Sequence, residues 1–410
     1  MTRRVLVGAV LLAILGAASA GGAGAAGPRA ASRAKVVRGV TNKSVKVGGL
    51  GYALAYSGAD IGAQARFARA NAAGGVNGRT IDYVGFRDDG GAAEIDRQAA
   101  TQLLDKDRVF AMVPVAAPDL GAVEMLTSQK VPYFGWAISS NFCGNPYGFA
   151  FSGCLFPPGK KVTANTWGAL VKIALGPQSA NPPAVLLAEN TAYGRYRLTA
   201  LTAAAKSVGI NVVSATSNLP VPPVADYGKL ADDVLTANGG SAPYAVFIIG
   251  SYSNVTLIEH ALRDRGFLGI ITDEIQYSPD IVVSARGETV LVQTAPVESA
   301  DSNPAMRQLV TDVRAIAASQ PIDQSVIAGY WSADLFIAAL KRAGKHLTIA
   351  GFLKSANHQF TYEVPKTVGP TRFPAAHDTP TPCGSLVRSD GVSFSVVVPY
   401  TCGKVVPVTP

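Results

Sequence analysis

Between Val45 and Gly91 the chain reads VKVGGLGYALAYSGADIGAQARFARANAAGGVNGRTIDYVGFRDDGG, and no other stretch restricts the fold as strongly. Val45 to Leu50 is a short apolar strand, a glycine-rich loop follows, and the next helix carries apolar residues at helical spacing. Gly74-Gly75-Val76-Asn77-Gly78 is a turn, and Ile81 to Phe86 is a second strand. This is a βαβ unit. Its glycine-rich loop sets backbone N–H groups at the carboxyl end of the first strand, where open α/β sheets bind small ligands. Gly49-Leu50-Gly51 begins a dinucleotide fingerprint, but Leu54 stands where its third glycine is needed.

A length of 410 residues predicts two or three domains. Charged residues make up 16% and the net charge of +8 is spread out, with basic pairs only at Arg3-Arg4, Lys160-Lys161 and Lys341-Arg342. Without a basic stripe interleaved with aromatics, no nucleic-acid partner is expected. The N-terminus has a basic start, an apolar run from Val5 to Leu15 and small residues at Ala18-Ser19-Ala20, the pattern of a secretory signal peptide cleaved after Ala20 or near Ala25. No cysteine for a lipid anchor follows it, and no later stretch is long and apolar enough to be a membrane span. The expected mature protein is extracytoplasmic.

Four cysteines in an exported chain fit two disulfides, for which three pairings are formally possible. Local pairing is expected, because Cys143 and Cys154 bracket one compact loop and Cys383 and Cys402 bracket a hairpin turning at Ser389-Asp390-Gly391. Closing either loop stabilises by about 3 kcal/mol. Zinc is disfavoured, since no C-x-x-C is present and the four histidines are scattered.

After the opening unit, helices are expected over residues 92–106 and 119–129, with strands at 109–113 and 132–135. A fresh α/β series starts with a helix at 162–175. It continues through strands at 184–188, near Val212, at 245–249 and at 269–272, with helices from Tyr193, over 227–237 and over 255–265. A strand at 289–294 precedes helices at 304–319 and 324–344.

The helix ending in Asn71-Ala72-Ala73-Gly74-Gly75-Val76-Asn77-Gly78-Arg79 and the strand running into Asp88-Asp89-Gly90 resemble the opening of type I periplasmic solute-binding proteins, nearest in form to the leucine/isoleucine/valine-binding group of ABC importers. Later landmarks follow the family's order over roughly residues 36 to 400. The resemblance implies an α/β fold of two Rossmann-like lobes with parallel-type central sheets, joined by a three-crossing hinge. Residues 1–35 would be signal peptide and leader, 36–155 and 297–369 lobe I, and 156–296 and 370–410 lobe II.

Carried over position by position, the resemblance places ligand contacts at Tyr56 in the opening loop, Ala116-Ala117 after one strand and Ala137-Ile138-Ser139 after another. In the second lobe it places them at Tyr193, Tyr252 and Glu274, the last as a partner for an amino acid's ammonium. Relatives that bind amino acids carry serine where this chain has Ala116-Ala117, so one hydroxyl donor is missing. Asp88-Asp89 reads as a cap for the following helix, and Trp136 and Trp167 as packing residues, with Trp136 also a candidate cleft wall.

No G-x-S-x-G, H-E-x-x-H or Walker loop occurs, and His260 lies within a helix. The expected function is therefore capture of a small polar ligand, such as a branched-chain amino acid, an amide or a similar carboxylate, for delivery to the membrane permease of an ABC importer. A monomer without catalytic residues, metal or cofactor is expected. A ligand sensor for a membrane receptor and a secreted hydrolase are the rival readings.

Overall fold

The computed structural model describes residues 36–157, 161–177, 180–221, 224–275 and 277–408; the expected signal segment and Lys160 lie outside the described residues. β1 (Ser44–Gly51) leads through one helical turn, α1 (Ala53–Tyr56), into α2 (Gly58–Ala72), and β2 (Thr80–Asp88) returns parallel to β1. Asn71 ties the turn together: its Nδ2 donates to Ile81 O at 2.9 Å and its Oδ1 accepts from Ile81 N at 2.8 Å. Gly75 is needed there, since its φ is +78° and a Cβ would lie 2.1 Å from Arg79 O.

α3 (Ala93–Thr101) passes into a π-helical turn over Gln102–Lys106, so the one helix expected at 92–106 is two helical types. β3 (Ala111–Ala116) follows, and α4 (Val123–Ser128) is shorter than the helix expected over 119–129. Gly121 is pressed against α3, where a Cβ would lie 2.2 Å from Ala93 O, and the chain there remains a turn. With β4 (Tyr133–Gly135) and β5 (Gly148–Ala150), these strands make a wholly parallel sheet in the order β2-β1-β3-β4-β5.

The second series comprises β6 (Val162–Ala164), α5 (Thr166–Leu175), β7 (Pro183–Glu189), α6 (Ala192–Ser207), β8 (Asn211–Leu219), α7 (Tyr227–Leu235), β9 (Ala245–Ile249), α8 (Tyr252–Asp264), β10 (Ile270–Asp273) and β11 (Thr289–Val292). The chain then returns to the first sheet, which α9 (Pro304–Ile316), α10 (Gln324–Ala343) and α11 (Ile349–Ala356) help to cover. α10 is apolar on nearly every side and correspondingly buried. Its Phe336 meets Phe67, Phe134 and Phe352 in one aromatic core.

The hairpin of β12 (Phe360–Val364) and β13 (Val368–Phe373) stays near the first sheet. Thr371 Oγ1 donates to Phe151 O at 2.5 Å, Cys154 N to Ala376 O at 2.8 Å and Thr381 N to Ser152 O at 2.7 Å. Only β14 (Cys383–Ser389) and β15 (Phe394–Cys402) join the second sheet, as antiparallel strands, in the order β15-β14-β11-β10-β9-β7-β8. β16 (Val405–Pro407) pairs antiparallel with β6, so residues 162–164 are a strand where a helix was expected. The disulfides join Cys143 to Cys154 and Cys383 to Cys402, the local pairs that the loops predict.

Candidate functional site

The parallel parts of the two sheets have the same order. β2-β1-β3-β4-β5 is matched by β8-β7-β9-β10-β11, and in each the strand order reverses once, between β1 and β3 and between β7 and β9. Adjacent loops diverge at such a point and leave a crevice outside the carboxyl ends of the strands. Tyr56, Ala116 and Ala117 fall at the first reversal, and Tyr193 and Tyr252 fall at the second. Ala137, Ile138 and Ser139 follow β4, and Glu274 follows β10, one strand further along each sheet.

At the first reversal, Tyr52 N donates to Ala116 O at 3.1 Å and Tyr56 N to Tyr52 O at 2.9 Å, which holds α1 over the strand end. Asp88 accepts from Ala53 N at 3.0 Å and from Gly90 N at 3.0 Å. Asp88 thus caps α1 rather than the helix after it, whose first turn has no side-chain cap. Those two backbone donors hold its carboxyl below the usual carboxylate range. Burial raises the pKa of the half-buried Tyr56 phenol. Ala116, Ala117 and Ala137 are buried.

The turn after β4 is more internally committed than a carboxylate cradle requires. Ala137 N donates to Ser152 Oγ at 3.3 Å, Ile138 N donates to Trp136 O at 2.7 Å, and Ser139 Oγ accepts from Asn141 N at 3.3 Å. Trp136 Nε1 donates to Gln293 Oε1 at 2.7 Å, which fastens this turn to the chain leaving β11, while Trp167 is buried with its Nε1 on Thr272 Oγ1 at 2.9 Å.

At the second reversal, Glu189 clamps the diverging loops. Its Oε1 accepts from Ser251 N at 2.9 Å, Ser251 Oγ at 2.6 Å and Asn254 Nδ2 at 2.6 Å. Tyr193 and Tyr252 remain 46% and 43% exposed, so their rings are open to a ligand. Tyr252 OH hydrogen-bonds Ser284 Oγ at 2.7 Å. Glu274 is engaged: Tyr193 OH donates to its Oε1 at 2.9 Å, Arg197 Nε donates to the same atom at 3.1 Å, and Arg197 Nη2 pairs with Oε2. Burial alone would lower the Arg197 pKa, but Glu274 outweighs it and holds the guanidinium charged. Phe156 completes the wall, with its ring 5.4 Å from that of Tyr193 and 5.9 Å from the Arg197 guanidinium. Neither Arg197 nor Phe156 was expected from the sequence. Arg197 carried a usable sign, since it stands four residues after Tyr193 on the same helix face.

A cavity of ≈ 50 Å³ beside Arg197, bounded by Trp167, Gln293 and Thr381, has room for water only. A larger one of ≈ 640 Å³, against Tyr244, Phe267 and Leu268, lies at the amino ends of β9 and β10, away from the strand ends where this architecture binds ligands. Among the described residues no group of three or more His, Cys, Asp or Glu is placed to hold a metal ion.

A family model described as a periplasmic binding protein matches residues 45–392. The chain belongs to the periplasmic binding protein family. Solved structures show the same fold. A fatty acid ABC transporter substrate-binding protein from Thermomonospora curvata is 19% identical with a TM-score of 0.67, covering 90% of this chain and 95% of its own. A putative branched-chain amino acid ABC transporter from Rhodospirillum rubrum is 20% identical with a TM-score of 0.65, covering 86% and 99%. A solute binding protein of an ABC transporter from Rhodopseudomonas palustris BisB5, in complex with 3,4-dihydroxy benzoic acid, is 16% identical with a TM-score of 0.64, covering 88% and 98%. No curated protein matches the sequence. No helix among the described residues is long and apolar enough to cross a membrane.

Proposed function

We propose that the protein works outside the cytoplasm as a solute-binding protein, holding a small carboxylate between the two strand reversals and presenting it to the permease of an ABC importer. It binds without a chemical step. The two sheets, each with its own helices, act as lobes that close about the segments joining them, and closure follows from the ligand's extra contacts in the closed state. Export fits two disulfides, which persist in oxidising compartments.

The observation that carries the ligand class is the bidentate pairing of Glu274 with Arg197. An unpaired carboxylate there would attract the ammonium of an amino acid, whereas a paired one leaves the wall neutral. Breaking a largely buried ion pair to admit an ammonium would cost about 3 to 5 kcal/mol before any gain. Together with the rings of Phe156, Tyr193 and Tyr252, this favours an aliphatic or aromatic carboxylate that lacks an ammonium. The fatty acid and dihydroxybenzoate named for two structural relatives have that chemistry.

Calorimetry with leucine, its keto-acid analogue and 4-hydroxybenzoate tests the assignment. The account predicts that at least one of the two ammonium-free acids binds at least tenfold more tightly than leucine, a difference of about 1.4 kcal/mol, and that Arg197→Gln weakens it. Tighter binding of leucine, with Glu274→Gln abolishing the preference, would restore the amino-acid reading. Turnover of any bound compound would move the protein among the enzymes.

A further inference from the structure

Arg66 and Arg69 stand about one turn apart on α2, on the side of that helix packed against α9 and α10. With Gln308 of α9, Trp331 of α10, Pro304 and Val364 they line a cavity of ≈ 420 Å³, a size that holds a small molecule. α2 runs away from the strand ends, so Arg66 lies about 12 Å along the helix from its start at Gly58. The cavity shares no lining residue with the candidate site at the two reversals.

Two aspartates meet these arginines, and their oxygens are already supplied with donors. Asp312 accepts from Tyr330 OH at 2.6 Å and from Gln308 Nε2 at 2.7 Å, and Asp334 accepts from Arg66 Nε at 2.6 Å and from Tyr362 OH at 3.0 Å. Arg69 Nη1 lies 3.3 Å from Tyr330 OH and 3.7 Å from Asp312 Oδ2. A guanidinium carries N–H donors on all three nitrogens. Among the described residues Arg66 engages only its Nε and Arg69 only its Nη1, so both forks keep donors for a further acceptor.

Trp331 supplies an independent sign. It is 3% exposed, and its Nε1 meets no acceptor among the described residues, whereas the indoles of Trp136 and Trp167 find Gln293 and Thr272. An indole N–H can only donate, and a buried donor without an acceptor is destabilising. Arg66 is itself only 8% exposed, so this is a site built into the packing and not a pair of surface cations. Three side chains that donate and never accept thus border one cavity, and a group that only accepts is their complement.

We propose that this cavity is a second binding site, which takes the oxyanion head, phosphate or carboxylate, of a small organic acid. The forks of Arg66 and Arg69 hold the head, as planar guanidinium groups suit both anions, and Trp331 Nε1 donates to it. The acid's apolar body rests against Pro304 and Val364.

Nitrogen-15 spectra of the full mature protein labelled at tryptophan test the site. The chain has three tryptophans, and the signal of Trp331 is identified by its loss in Trp331→Phe. Phenyl phosphate or benzoate at millimolar concentration should move the Trp331 indole signal, and benzyl alcohol, which has the same ring and no charge, should leave it in place. Movement by one acid alone supports the site and names its head group. The Arg69 side chain is 48% exposed, so Arg69→Gln should keep the fold, as an unchanged Trp167 signal would verify, and should weaken the response about tenfold. A Trp331 signal unmoved by both acids, an equal response to benzyl alcohol, or an unchanged response in Arg69→Gln would overturn the proposal. Because the readout is Trp331, an acid bound only at the strand reversals would leave it unmoved and would count against this second site alone.

Discussion

Arg197 is the residue that most alters the reading of the site. From sequence, Glu274 is a carboxylate at a strand end and invites an ammonium; in the fold it belongs to a guanidinium 77 positions earlier, and no local pattern encodes that pairing. The strand-end tyrosines were legible because their positions follow from the alternation of elements, whereas partners on other elements were not. Asp88 is a similar case, since its donor at Ala53 is 35 residues away. His377 makes a separate prediction. It is buried between Phe149 and Phe373, its Nε2 lies 2.5 Å from Asn357 Oδ1, and burial lowers its pKa to about 4. The folded state therefore takes up this proton less readily than the unfolded chain, so the stability it confers is present above about pH 6.5 and is lost as the pH falls towards 4. Urea unfolding should show the stability difference between wild type and His377→Phe shrinking by up to about 3 kcal/mol between pH 7 and pH 4.

Among the elements, the strands with continuous apolar runs were read to within three residues at either end, β3 being the furthest off. β9 is found at 245–249 as expected, because a strand buried on both faces writes its burial into adjacent positions. β6 was read as helix because it exists through pairing with β16, at the far end of the chain. The crossing of α2 with α10 was equally invisible, although it sets the position of the opening loop. Gly62 and Gly329 let the two backbones touch: a Cβ on Gly62 would lie 2.0 Å from Val326 O, and one on Gly329 would lie 2.0 Å from Ala59 O. Arg66 and Asp334 lock the same pair of helices at 2.6 Å. Alanine in place of a helical glycine gains up to about 1 kcal/mol in propensity, but the clash is with backbone and forces the helices apart. Gly329→Ala should therefore be less stable than wild type by about 1 to 3 kcal/mol in urea unfolding; an unchanged or raised stability would mean that the contact is looser than described.

At the scale of the molecule, the fold class follows from one βαβ unit and the alternation after it, while the symmetry of the two sheets emerges only once the strands are ordered. Repeated 2-1-3-4-5 order produces two reversals, and the proposed function rests on their use together. Residues 371–381 are bonded to 151–154 before β14 enters the second sheet. Composition has no access to that detail, because the contacts are made by backbone atoms. The most direct test of the account is a crystal structure of the protein with a bound carboxylate from the calorimetric series. The account predicts one ligand between the two reversals, touching Tyr56 or the Ala116-Ala117 loop on one side and Tyr193 or Tyr252 on the other, with Arg197 still paired to Glu274. A ligand seated instead at the amino ends of β9 and β10, against Tyr244 and Leu268, would contradict it.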